Sequence, residues 1–370
     1  MANQFVTLKE IARTALPHLM DNLVFPRLVH NDFSDVFAAK QGDTIQIRKP
    51  VNYTAQEFKP ETGVVTQEVL EDSVEVKLDK IASVDIEVSA LDAALNFDSV
   101  DRLFVKPAAI ALAEKINADG LALYRDIPAC VGDAGTTPSS LADLAAVRRA
   151  LNDARVPNAP RYAVWDTAAD TAFATIPALV NAEKSGSTDA LREGALGKVF
   201  GIEHYMSQAV CSHRSGITAA AGVTVNGAAA EGSKTISIKG SSITGHLSAG
   251  DILCINGCKY TVCADTADAV SNAISNIQIS PAAHAMKNGD TVNLIGSHTA
   301  NLAFHPSAFA FVCRPLAMPA GVESYVTSFD GISLRVVRGY DMVFKREMLS
   351  MDVLYAYKTV YPALAVRCLG

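Results

Sequence analysis

Between residues 6 and 20 the apolar positions Val6, Leu8, Ile11, Ala12, Ala15, Leu16 and Leu19 recur at helical spacing. That stripe predicts an amphipathic N-terminal helix, with Pro17 kinking or ending it. After Gly42 the period changes to two. "DTIQIRKPVNYTAQEF" and "VVTQEVLEDSVEVKLDKIASVDIEVS" alternate apolar and polar residues, most clearly at Val74, Val76 and Leu78 against Glu75, Lys77 and Asp79. Joined through "KPETG", the two runs predict a long β ribbon. A two-stranded ribbon that is polar on one face cannot bury itself, so it is expected to need a partner.

Asp98 to Ile127 then reads as one long helix, N-capped by Asp98, with Leu103, Ala109, Leu112, Ala113, Ile116 and Leu123 on its apolar stripe and an interruption at Pro107. Thirty residues would span about 45 Å at 1.5 Å per residue. "DAGTTPSS" breaks the pattern. A second helix, "SLADLAAVRRALNDARV", opens on Ser139-Ser140 as its N-cap and leads to a strand, "RYAVWD". Strand signals resume at "KVFGIEHYMSQAV" and continue through "KTISIKG", "NIQIS" and "GDTVNLIG", short runs with turns between them that suggest a small barrel or sandwich. The chain closes on "ANLAFHPSAFAFVCRPL", a strand and a short helix begun at Pro306, then on β structure turned at Asp330-Gly331.

Within the β-rich stretch, Asn256-Gly257 stands between "GDILCI" and "CKYTVC". Asn-Gly favours the type I′ turn of a two-residue hairpin, because both turn positions need positive φ. Ile255 should then pair with Cys258, Cys254 with Lys259 and Leu253 with Tyr260. Cys254 and Cys258 fall on opposite faces. Cys263 lies roughly 13 Å along the ladder from Cys254 at ~3.3 Å per residue, too far for thiolates sharing one tetrahedral zinc. These cysteines are therefore read as small apolar strand residues and not as ligands.

Charge sharpens the division. Residues 1–222 carry 21 basic and 29 acidic side chains, residues 223–298 carry 4 and 5, and residues 299–370 carry 7 and 5. The middle segment is almost uncharged and rich in Ala, Gly, Ser, Thr, Ile and Val, as an independently folded β insertion would be. The net charge of −7 argues against a protein that grips nucleic acid, which needs clustered Lys and Arg. Seven scattered cysteines do not form a disulfide framework, and no window reaches the length of a membrane span.

Candidate chemistry is sparse. "GALGKVFG" lacks the phosphate-loop pattern, with Arg192 and Val199 where a Gly and a Ser or Thr are required. The histidines, among them His18, His204, His213, His284 and His305, show no metal spacing and are read as solvated or hydrogen-bonded side chains. No G-x-S-x-G elbow surrounds Ser139 or Ser140. Asn52-Tyr-Thr matches a glycosylation triplet in pattern alone. No catalytic, cofactor-binding or metal-binding residue is assigned.

Three stretches carry a family resemblance: "VKLDKIASVDIEVSALDAAL", "NLAFHPSAFAFV" and "GISLRVVRGYDMVFKREMLSMDVLYAYKTVYPALAVR". Together with the order of elements they resemble the major capsid proteins of tailed bacteriophages, most of all short-tailed-phage coat proteins with an inserted β domain. The resemblance implies an α+β chain with the shell fold shared by tailed phages and herpesviruses. Transferred to this sequence, it implies an N-terminal arm at 1–41, an extended β loop at 42–89 and a peripheral domain with its spine helix at 90–135. An axial domain would follow at 136–222, an inserted small β barrel at 223–298, and a second axial and peripheral part at 299–370. It further implies hexamers and pentamers in an icosahedral virion shell, packaged DNA enclosed without sequence-specific contacts, procapsid maturation, and no membrane, cofactor or metal. Some relatives begin with an internal scaffolding segment; here the arm opens the sequence, so a separate scaffolding protein and a portal are the expected partners. Some relatives also cross-link through a Lys–Asn isopeptide bond. Lys49 or Lys59 could supply the amine, but no burying Glu or target Asn is marked, and no enzymatic activity is expected. The alternative reading is a soluble hydrolase or binding protein with a β accessory domain.

Overall fold

A computed structural model describes residues 8–31, 44–48, 73–88, 104–181, 192–341 and 346–370. Strands and helices are numbered in chain order. The first layer is a five-stranded antiparallel sheet of β3 (Lys80–Val88), β18 (Phe309–Arg314), β19 (Glu323–Phe329), β20 (Ile332–Asp341) and β21 (Arg346–Thr359). β21 is its hub, pairing with β3, β18 and β20. The period-2 pattern sends Ala82, Phe309, Phe311, Leu334, Val336, Leu349, Met351 and Val353 into one buried face. Three helices contribute to the same core: α1 (Leu8–Asn22), α2 (Phe25–Leu28) and α3 (Lys106–Leu121). Asn117, buried on α3, accepts from the Val24 and Phe25 amides and donates to the Asn22 carbonyl. One side chain thus satisfies main-chain groups at the α1–α2 junction that would otherwise be orphaned.

The N-terminal helix forms with Pro17 inside it, and Ile11, Ala12, Ala15, Leu16, Leu19 and Met20 are buried in the chain's own core. Among the described residues the α-helical part of the long helix, α3, has 16 residues, about 24 Å at 1.5 Å per residue, and Pro107 sits in its first turn, where a missing N–H costs nothing. A 3-10 turn at Ala122–Asp126 ends it, and Asp98 lies outside the described residues.

The other face of the sheet carries the ribbon of β1 (Thr44–Arg48) and β2 (Ser73–Lys77), paired from Thr44↔Lys77 to Arg48↔Ser73. Ile47, Val76 and Leu78 close on Ala310, Val312, Ala356 and Val360. The base of the ribbon therefore finds its partner in its own chain; residues 49–72, including Lys49, Asn52 and Lys59, lie outside the described residues.

The second sheet joins β4 (Cys130–Val131), β22 (Ala365–Leu369), β17 (His298–Phe304), β5 (Tyr162–Trp165), β7 (Ile202–Met206) and β6 (Lys198–Val199) in that order, with β8 (Ser212–His213) on β17. Val164, Leu302 and Phe304 face the first core. Ala163, Trp165, Ala303, Val366 and Cys368 face a second core closed by α4 (Leu141–Asp153) and α5 (Thr167–Phe173). Ser140 caps α4 in a reciprocal capping box with Asp143, and Asp166 caps α5.

The third layer is a six-stranded sheet, β10 (Thr224–Val225), β11 (Thr235–Lys239), β15 (Ala273–Ser280), β14 (Cys258–Val262), β13 (Ile252–Ile255) and β16 (Val292–Ile295). Its edges meet through Val225 N–H to Asp290 O and Val292 N–H to Val223 O, both 2.9 Å, which closes it into a barrel. A separate hairpin pair, β9 (Ile217–Ala221) with β12 (Ser242–Gly245), lies alongside. The barrel core is Ile236, Ile238, Leu253, Ile255, Tyr260, Val262, Ile274, Ile277 and Ile279. The Asn256-Gly257 turn has φ of 50° and 80°, and the register is Ile255↔Cys258, Cys254↔Lys259 and Leu253↔Tyr260, as its turn chemistry requires.

Candidate functional site

The β13–β14 hairpin has two buried faces. Leu253, Ile255, Tyr260 and Val262 fill the barrel; Ile252, Lys259 and Thr261 point the other way, onto the rest of the chain. Ile252 packs with Cys130 and Leu369, Lys259 Nζ donates to the Cys130 carbonyl at 2.6 Å, and Thr261 Oγ1 donates to the Arg125 carbonyl at 2.6 Å.

Beside this contact five polar side chains are buried together, from five separate segments: Tyr124, His213, Asp251, His298 and Arg367, each no more than 4% exposed. Arg367 leaves β22 and bridges the two bodies. Its Nη1 donates to the Gly250 carbonyl of the barrel at 2.7 Å, and its Nη2 to the Tyr124 and Ile127 carbonyls at 2.6 and 2.8 Å. The guanidinium also lies over the Tyr124 ring, 5.1 Å from its centroid. Burial pulls its pKa down to about 10. His213 Nε2 donates to Asp251 Oδ1 at 2.9 Å, and Asp251 Oδ2 accepts from the Ser248 amide. With that tautomer the Tyr124 hydroxyl, 3.0 Å away, donates to His213 Nδ1. The His298 ring is tilted against that of His213, centroids 5.1 Å apart, and donates from Nδ1 to the Gly296 carbonyl at 2.9 Å. Burial lowers its pKa to about 4, which keeps the ring neutral.

Tyr, His and Asp in sequence are a proton-relay arrangement, but these are closed on every side and no reacting group can approach them. A surface groove of about 310 Å³ on the barrel is lined by Asn226, Ser237 and Asn276 among others, and none of the five buried residues borders it. Among the described residues no three His, Cys, Asp or Glu side chains are grouped as a metal site, and no helix is long and apolar enough to cross a membrane. The arrangement is a polar lock between barrel and body.

The other histidines singled out by type are scattered. His204 accepts from the Trp165 indole at 2.9 Å, and burial lowers its pKa to about 4. His305 caps a short 3-10 turn by accepting from the Ser307 amide. His18 and His284 lie elsewhere, on α1 and after β15. Gly197 takes φ of 65° ahead of β6, so "GALGKVFG" enters a strand and not a phosphate-binding helix. Cys254 and Cys258 lie on opposite faces of the hairpin, and Cys263 is exposed.

No protein-family model matches the chain. A curated relative, the major capsid protein of Acyrthosiphon pisum secondary endosymbiont phage 1, is 22% identical over 97% of each chain. A solved structure from Mycobacterium phage Che8 superposes with a TM-score of 0.53, covering 94% of this chain and 90% of that one at 15% identity. The resemblance carried by the long terminal β stretches is therefore borne out: the chain is similar in sequence to a phage major capsid protein and has the α+β tailed-phage capsid fold.

Proposed function

We propose that the chain is a phage major capsid protein, whose copies assemble into the hexamers and pentamers of an icosahedral head shell around packaged double-stranded DNA. The observation that carries this is the likeness, over 97% of both chains, to a protein of that name, together with the matching fold. Its place is the virion shell. The scaffolding protein, the portal and the enclosed DNA belong to the same proposal, as does the division into arm, loop, peripheral, axial and inserted parts.

Physical features support it. β1 and β2 pair antiparallel from Thr44↔Lys77 to Arg48↔Ser73, as the two strands of one ribbon. A net charge of −7 suits a container that must not hold phosphates tightly. The buried Tyr–His–Asp cluster is closed, which favours a shell subunit over the hydrolase alternative. Sedimentation velocity of the expressed chain, alone and with co-expressed scaffolding protein, tests the reading. Capsomer rings or closed shells support it; a monodisperse monomer under both conditions, with a cleft that takes a ligand, supports the alternative.

A further inference from the structure

The five residues of the lock balance only one protonation state. Asp251 is the carboxylate of the barrel side, Arg367 its counter-charge from β22, and burial keeps the His298 ring neutral. The surroundings of His298 are set from every side: His213 from β8, Asp251 from the start of the β13 hairpin, Arg367 from β22, and behind them Tyr124 and Asp126 from the 3-10 turn. Asp126 is already engaged by the Thr359 hydroxyl. Both oxygens of Asp251 are taken, by His213 and by the Ser248 amide. A proton added to His298 has nothing to hold it: its Nδ1 is committed to Gly296, and its buried Nε2 has no protein acceptor. Protonation there sets an unpaired cation beside a buried guanidinium, which is costly in a low-dielectric interior.

We propose that this junction is an acid-opened latch: neutral His298 lets the barrel stay docked on the body, and protonated His298 releases it. The large hydrophobic cores of barrel and body are separate; only the small cluster of Ile252, Cys130 and Leu369 spans the junction and is uncovered when the two part. Direction follows from linkage. The docked state binds the proton less readily than an opened one, where the ring is solvated with its ordinary value of 6.5. The His298 contribution to docking is therefore intact above pH 6.5 and weakens as the pH falls towards about 4. Within that window the closed-to-open ratio drops by up to tenfold per pH unit, roughly 70-fold between pH 7.5 and 4.5.

Hydrogen exchange of the full-length chain, corrected for the intrinsic pH dependence of exchange, reads this directly. Between pH 7.5 and 4.5, amides of 124–131 and 248–262 should lose protection by that factor, while β15 in the barrel core keeps its own. In His298→Asn, which retains a donor towards Gly296 but cannot titrate, the response should be flat. Constant junction protection in the wild type, or a variant as acid-sensitive as the wild type, overturns the proposal. If the variant does not fold, ring-labelled histidine in the wild type decides: of eight imidazoles, at least two, His204 and His298, should titrate near pH 4. Fewer than two overturns it.

Discussion

Arg367→Met measures how firmly the barrel is held. Methionine fills much of the arginine stem, so the loss falls on polar contacts. The Ile127 and Gly250 carbonyls lose their donors, the Tyr124 carbonyl keeps the Ile127 amide, and Asp251 loses its counter-charge. A buried acceptor left alone costs ~1–3 kcal/mol, so the gross loss from the two is ~2–6 kcal/mol, before the stranded carboxylate is added. An opposing effect is that no guanidinium must be desolvated; burial lowers its pKa from 12.5 to about 10, a penalty of roughly 3 kcal/mol on the charged form. With the stranded Asp251 carboxylate included, the net destabilisation is ~2–3 kcal/mol, at or just below the low end expected when one member of a buried charge pair is removed. Urea unfolding followed by the single tryptophan, Trp165, two strands from β22, reports it. Adding Asp251→Asn should recover ~1–2 kcal/mol, because neither charge is then stranded. A single variant within about 0.5 kcal/mol of wild type would refute the claim that these bonds hold barrel to body.

Other outcomes follow from local geometry. Gly120→Ala, which normally gains ~1 kcal/mol in a helix, should instead destabilise by ~1–3 kcal/mol, since the new Cβ would clash with the Phe25 ring at Cδ1; a raised melting temperature would contradict it. Gly257→Ala meets no neighbour within 4 Å but must hold φ of 80°, so a loss of roughly 1 kcal/mol is expected from strain alone, seen as a lower urea midpoint. His204 is kept neutral by burial, with its pKa near 4 against 6.5 when unfolded; its contribution is intact above pH 6.5 and is lost as the pH falls through 4. Trp165 emission should accordingly hold steady from pH 7.5 to about 5 and change near 4, and a midpoint near 6.5 would contradict the buried pairing.

Much of this fold was legible because its signals are local. Asn256-Gly257 and Asp330-Gly331 turn their hairpins with the registers their positive φ values dictate, and Ser140 caps α4 as its type and position suggest. Where a local signal was missing, so was the reading. Phe200-Gly201 turns the β6–β7 hairpin with φ of 51° and 79°, yet phenylalanine is no turn residue and gives no cue. Helix propensity carried the α-helical reading past Leu121, where a 3-10 turn takes over, because apolar spacing does not separate the two helix types. The apolar stripe of α1 and the ribbon base show the same limit: amphipathicity says a face is buried, not which surface buries it. The lock was invisible for a further reason. Its members stand at positions 124, 213, 251, 298 and 367, and only the closure of two sheets brings them together.

The most direct test of the central claim is electron microscopy of the purified full-length chain after expression with its scaffolding partner. Closed particles tiled by sixfold and fivefold clusters of this subunit, each placing its five-stranded sheet and α3 as described, are predicted. A chain that remains a single compact molecule under every such condition would contradict its assignment as a shell protein.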